Sequence, residues 1–145
     1  MNVGNAYDDR IRGDRAEKQE RCAALEVRTR VADPVLWAAS QRELAASIRD
    51  RSSDDRAADI DRSVSLLHEV LEVTTRKANP REWAFTQMEL GIAYRVRTSG
   101  TAAENRRLAT EALSGALDVF AGRDGSFEMD KLQRELALLE RAREC

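Results

Sequence analysis

Apolar residues return along this chain at intervals of three and four. Between Asp55 and Pro80 they fall at Ile60, Val64, Leu67, Val70 and Leu71. After Pro80 they fall at Trp83, Thr86, Leu90, Ala93 and Tyr94, with Gln87 inside the stripe, and near the end Met129, Leu132, Leu136 and Leu139 share one face. This is the spacing of helices that bury one side. No segment alternates apolar and polar residues, so no strand is predicted. Start signals agree with the stripes. Asp33 and Asn79 stand before Pro34 and Pro80, which suit the first helical position because their missing N–H costs nothing there. Asn79 and Glu82 have the spacing of a capping box, and Asp14, Asp55 and Thr101 are the N-caps expected for a second kind of helix. The pattern predicts an all-α chain of about six long helices after a short N-terminal one.

The helices repeat. Displaced by 46 residues, Asp33-Pro34 meets Asn79-Pro80, Trp37 meets Trp83 and then Met129, and Arg49-Asp50-Arg51 meets Arg95-Val96-Arg97. Gln41-Arg42-Glu43-Leu44 meets Gln87-Met88-Glu89-Leu90 and then Gln133-Arg134-Glu135-Leu136. A fixed period of this length is the signature of a stacked array of helical hairpins. One domain over 1–145 is expected, made of a truncated first repeat (1–32), two full repeats (33–78 and 79–124) and a capping helix (125–145). Val3 to Tyr7 matches Leu90 to Tyr94, so the chain starts halfway along a first helix, and the helix that follows lacks five residues. Such a deletion turns a helix by roughly 140°, so this first repeat is expected to pack unlike the others. It should leave an apolar edge around Val3, Tyr7, Leu25 and Leu36.

Leu90-Gly91-x-x-Tyr94, followed by Ala109, Leu113 and Ala116, resembles the tetratricopeptide repeat (TPR). The matching residues one block earlier are Leu44, Ala45 and Ile48, then Ser63, Leu67 and Val70. The resemblance implies a right-handed α-solenoid of antiparallel hairpins, in which small residues at Gly4, Ala45, Gly91 and Ala137 let helices approach closely. The period departs from the usual 34 residues, and Gln41, Gln87 and Gln133 stand where the family has a bulky aromatic. Long-period variants of this kind are similar to bacterial arrays found beside CHAT peptidase domains, and the balance of 21 Arg to 3 Lys suits a high-GC genome.

In that family the first helix of each hairpin lines a concave groove. Carried over, its positions are Ala39, Arg42, Ala46 and Arg49, then Phe85, Met88, Ile92 and Arg95, then Lys131, Arg134, Leu138 and Arg141, with Asn5 and Asp8 in the first fragment. Six are basic and only Asp8 is acidic. The expected site is therefore a groove for an acidic peptide or helix, with Arg42, Arg49, Arg95, Lys131, Arg134 and Arg141 taking carboxylates and Phe85, Met88 and Ile92 burying an apolar anchor. The competing reading packs those three apolar residues against a neighbouring helix and pairs the arginines with acids nearby, Arg134 with Asp130 for one. The Gln and Glu common to every block are expected to hold the stack together.

Composition narrows the classes. The net charge of −2 gives no basic excess for nucleic acid, and no apolar run is long enough for a membrane span. Cys22 and Cys145 are too few and too far apart for a disulfide frame or a zinc site. Cys22 aligns with the small packing positions Ser63 and Ala109 and is expected to be buried. Asp54-Asp55 and Asp8-Asp9 read as caps or solvated faces, and His68, the only histidine, as a partly exposed structural residue. No phosphate loop, ligand cluster or nucleophile elbow is present. The expectation is a cytoplasmic, non-enzymatic protein-binding module with no cofactor. Two alternatives stay open: a unit that self-associates through its uncovered N-terminal edge, or a fragment of a larger regulator.

Overall fold

The computed structural model describes residues 13–21, 29–122 and 126–144, all of whose regular structure is helical. Helix α1 covers residues 13–21, and a further helical turn occupies 29–32. The long helices are α2 (Pro34–Asp50), α3 (Arg56–Val73), α4 (Pro80–Val96), α5 (Ala102–Ala121) and α6 (Ser126–Glu144). Each packs on the next from α2 onward. In addition α2 touches α4 and α4 touches α6.

Helices α2 and α4 occupy the same positions of the 46-residue block at both ends. The caps explain this agreement. Asp33 accepts from the Leu36 N–H at 3.0 Å, Asp55 from the Ala58 N–H at 3.1 Å and Thr101 from the Glu104 N–H at 3.2 Å, each satisfying a donor that the helix itself leaves open. Two predicted caps fail. Asn79 is the N-cap residue of α4 but makes no side-chain cap bond, and Glu82 turns to Arg42 instead of completing a capping box. Asp14 lies within α1, so that helix starts earlier than the alignment with Asp55 and Thr101 implies.

Buried positions repeat as well. Ala38 and Ala84, Ala45 and Gly91, Ile48 and Tyr94, Ser63 and Ala109, Leu67 and Leu113, and Val70 and Ala116 are all buried. Where α4 crosses α5, a Cβ at Gly91 would lie 2.4 Å from Leu113 Cγ and 3.3 Å from the Ala109 carbonyl oxygen. In the α2–α3 hairpin Ala45 takes the glycine position, and its carbonyl accepts from Ser63 Oγ at 2.8 Å. The tryptophans keep matching surroundings too. The Arg30 guanidinium lies 4.8 Å from the Trp37 ring, and that of Arg76, one block later, 5.2 Å from Trp83.

Turns between paired helices reuse one device. Arg51 binds Asp59 through both Nε (3.0 Å) and Nη2 (2.7 Å). One block on, Arg97 meets Asn105 at 3.4 Å, and the Asn105 amide donates to the carbonyls of Arg97 and Ser99. The released charge of Arg97 goes to α3, where Asp61 accepts from Arg97 Nε at 2.7 Å and from Ser99 Oγ at 2.6 Å. The positive φ of Gly100 lets this turn reach the Thr101 cap. Hydrogen bonds from Arg51 and Ser53 hold the Asp59 carboxyl below the usual range, and those from Ser99 and Arg97 do the same for Asp61. A carboxyl with a depressed folded pKa contributes stability that is complete above its unfolded value, near pH ~4, and is lost as pH falls through the folded value. Thermal unfolding followed by circular dichroism should therefore show a falling Tm below about pH 4, with a shallower decline in Asp61→Asn.

The first repeat is described only in part. Every described residue of α1 is exposed. The expectations for Val3, Gly4, Asn5, Tyr7, Asp8, Asp9, Cys22, Leu25 and Cys145 lie outside the described residues. Leu36 is described, and is 57% exposed.

Candidate functional site

The first helices α2, α4 and α6 place the expected groove residues on adjoining faces, but most of the charge there is already used. Arg42 Nη1 lies 2.6 Å from Glu82 Oε2, Arg49 Nη1 2.6 Å from Glu89 Oε2, and Arg95 Nε 2.6 Å from Glu135 Oε2. In all three the acid follows the arginine by 40 residues, so each pair bridges one first helix to the next. Arg49 also donates to both oxygens of Asp50, and that guanidinium holds the Asp50 carboxyl below its ordinary value. Lys131 Nζ stands 3.7 Å from Glu89. Two of the three glutamates of the repeated Gln-x-Glu-Leu, Glu89 and Glu135, thus join neighbouring helices, and Glu43 does not. Of the six basic positions, Arg134 and Arg141 carry no carboxylate among the described residues, and both are exposed. Arg134 reaches back to the carbonyl oxygen of Asp130 at 3.3 Å, not to its carboxylate.

The apolar strip is divided in the same way. Met88 and Ile92 are buried in the main core and present no anchor surface. Phe85 is half-buried. Its ring meets Phe120 edge-on at 5.1 Å, with the guanidinium groups of Arg42 and Arg81 at 5.5 and 5.6 Å. An open depression of ≈ 160 Å³ remains between α2 and α4, lined by Ala39, Arg42, Glu43, Ala46, Phe85 and Glu89. Four of these, Ala39, Arg42, Ala46 and Phe85, are positions named from the repeat. The two glutamates are not, so the lining carries both charges.

A second cavity of ≈ 320 Å³ opens between α3, α4 and α5 beside Trp83, Gln87 and Leu90. Gln87 stands where the resembling family has a bulky aromatic, and the tryptophan sits one turn earlier. At its rim His68 Nε2 and the Tyr94 hydroxyl are 2.9 Å apart, and burial pushes the Tyr94 phenol up. His68 is exposed and makes this structural contact.

Among the described residues, no group of three or more His, Cys, Asp or Glu side chains could hold a metal ion. None of the described helices is long and apolar enough to cross a membrane. No family model matches the chain, and no curated protein or solved structure is significantly similar to it.

Proposed function

We propose that this chain is a non-enzymatic protein–protein interaction module. In this reading its hairpins stack as a short right-handed α-solenoid of TPR type, and the face formed by α2, α4 and α6 receives a helical or extended segment of a partner protein. The observation that carries it is the depression between α2 and α4, whose small floor residues Ala39 and Ala46 lie beside the half-buried ring of Phe85. Small residues between adjacent helices leave room for a side chain, and a partly covered aromatic supplies apolar area for it.

The ion pairs narrow the expected partner. Arg42, Arg49 and Arg95 are matched by glutamates, so they fix the spacing of the first helices and offer a ligand little unsatisfied charge. Carboxylates of the partner are read at the α6 end, by Arg134 and Arg141. The partner is a segment with one apolar anchor over Ala46 and an acidic stretch toward α6.

Fluorescence anisotropy with labelled amphipathic peptides, acidic at one end, tests both halves. Ala46→Glu places a carboxylate on the floor beside Glu43 and Glu89, and is expected to weaken binding about tenfold or more. Arg134→Glu is expected to weaken it less and to flatten its salt dependence, because exposed charges act through a screened field. Equal affinity of wild type and Ala46→Glu would reject the groove.

A further inference from the structure

The arginine–glutamate rungs leave one end open on each outer first helix. Arg49 of α2 reaches Glu89 of α4, and Arg95 of α4 reaches Glu135 of α6. The third arginine of this series is Arg141 on α6, and the first glutamate of the other series is Glu43 on α2. Both are exposed, and neither bonds a described residue.

The surfaces around these two residues also correspond. On α4, Thr86, Leu90 and Ala93 are all buried, and Leu90 lines a cavity with His68 and Leu71 of α3. Their equivalents on α2 are Ser40, Leu44 and Ser47, all exposed. Helix α2 therefore shows to solvent the stripe that α4 covers. On the outer side of α6, Ala137 and Leu138 are exposed, and Asp130, Gln133, Arg134 and Ala137 line an open depression of ≈ 400 Å³.

We propose that the chain associates head to tail with a second copy of itself, the outer face of α6 docking on the open face of α2 so that Arg141 of one copy bonds Glu43 of the next. The contact continues the rungs seen twice within the chain, with Leu44 of the next copy received against Ala137 and Leu138. Because the two faces differ, the contact is heterologous and propagates beyond a pair. It shares Arg141 and Glu43 with the proposed groove, so it is tested without peptide, by self-association alone.

Sedimentation velocity of the 145-residue chain over a rising concentration series is the test. Wild type is expected to pass from monomer through dimer to larger species, less readily as salt is raised. Glu43→Arg and Arg141→Glu each set like charges opposite one another and should raise the apparent Kd at least about tenfold. Both positions are exposed and unbonded, so helicity measured by circular dichroism stays the same. The double variant Glu43→Arg with Arg141→Glu restores the pair in reverse and should recover wild-type association, as should an equimolar mixture of the two single variants. A wild type that stays monomeric, single variants that associate as wild type does, or growth that stops at a two-fold dimer would each overturn the proposal.

Discussion

Replacing Leu113 with alanine is expected to lower the free energy of unfolding by about 2–5 kcal/mol, the range for removing a fully buried leucine. Leu113 is fully buried where α5 crosses α4, and its Cγ lies against the bare backbone of Gly91. The more discriminating result comes from pairing it with Gly91→Ala. Alone, that substitution gains roughly 1 kcal/mol of helix propensity but drives a Cβ to 2.4 Å from Leu113 Cγ and 3.3 Å from the Ala109 carbonyl. Cγ is a branch point held in a packed core, so it cannot swing aside as a flexible chain end would. Gly91→Ala is therefore destabilising in wild type. In the Leu113→Ala background the Leu113 branch is gone and only the Ala109 carbonyl oxygen, at 3.3 Å, stays close, so the same change should cost far less. Urea unfolding of the four proteins gives the coupling directly. Additive effects of the two substitutions would show that the small-against-large fit does not hold α4 on α5.

Arg49→Met is expected to cost about 2 kcal/mol, somewhat below the 3–5 kcal/mol seen when one partner of a fully buried pair is removed. Arg49 is 8% exposed and Glu89 15% exposed, so some water relieves the stranded carboxylate. Lys131 at 3.7 Å relieves it further. Removing both partners, as Arg49→Met with Glu89→Met, should recover most of that loss, because neither charge then remains without its partner. By contrast, Arg134→Met should change stability by no more than about 0.5 kcal/mol, since an exposed side chain without an ion pair contributes little. Denaturant midpoints measured at fixed pH separate these outcomes. A double variant no more stable than Arg49→Met would mean that the methylene stem of Arg49, packed along α2 and α4, matters more than its charge.

The two predictions share a physical basis. Close approach of helices is set by Gly91 against Leu113 and by Ala45 against Ser63, while the spacing of successive first helices is set by charged rungs at a constant separation. Both recur with the same period. Repetition of the sequence does not carry burial with it. Leu44 is 46% exposed while its equivalent Leu90 is 2% exposed, although the two residues are identical in type and register.

Much of this arrangement is legible in the order of residues. Helix starts at Asp33, Asp55 and Thr101 follow from local hydrogen-bond chemistry, and the buried faces follow from a spacing of three and four. The small-against-large pair of Gly91 with Leu113, and the burial of its equivalents Ala45 and Leu67, follow from the repeat. All of these depend on neighbours a few residues away or on aligned copies. The pairing of charges at the expected groove positions was not legible in the same way. Arg42, Arg49 and Arg95 read as free cations because their partners lie 40 residues along the chain. Which acid an arginine meets at that distance depends on how far one hairpin is shifted and rotated against the next. No local period encodes that shift. The available signal was two rows recurring together, Arg49, Arg95 and Arg141 beside Glu43, Glu89 and Glu135. The sequence by itself determined the helices, their period and their buried sides, because these are properties of a chain segment and its own spacing. Only the tertiary structure decided which charges cancel, why Met88 and Ile92 are inside, and why Leu44 is not covered as Leu90 is, because those depend on what stands against each helix.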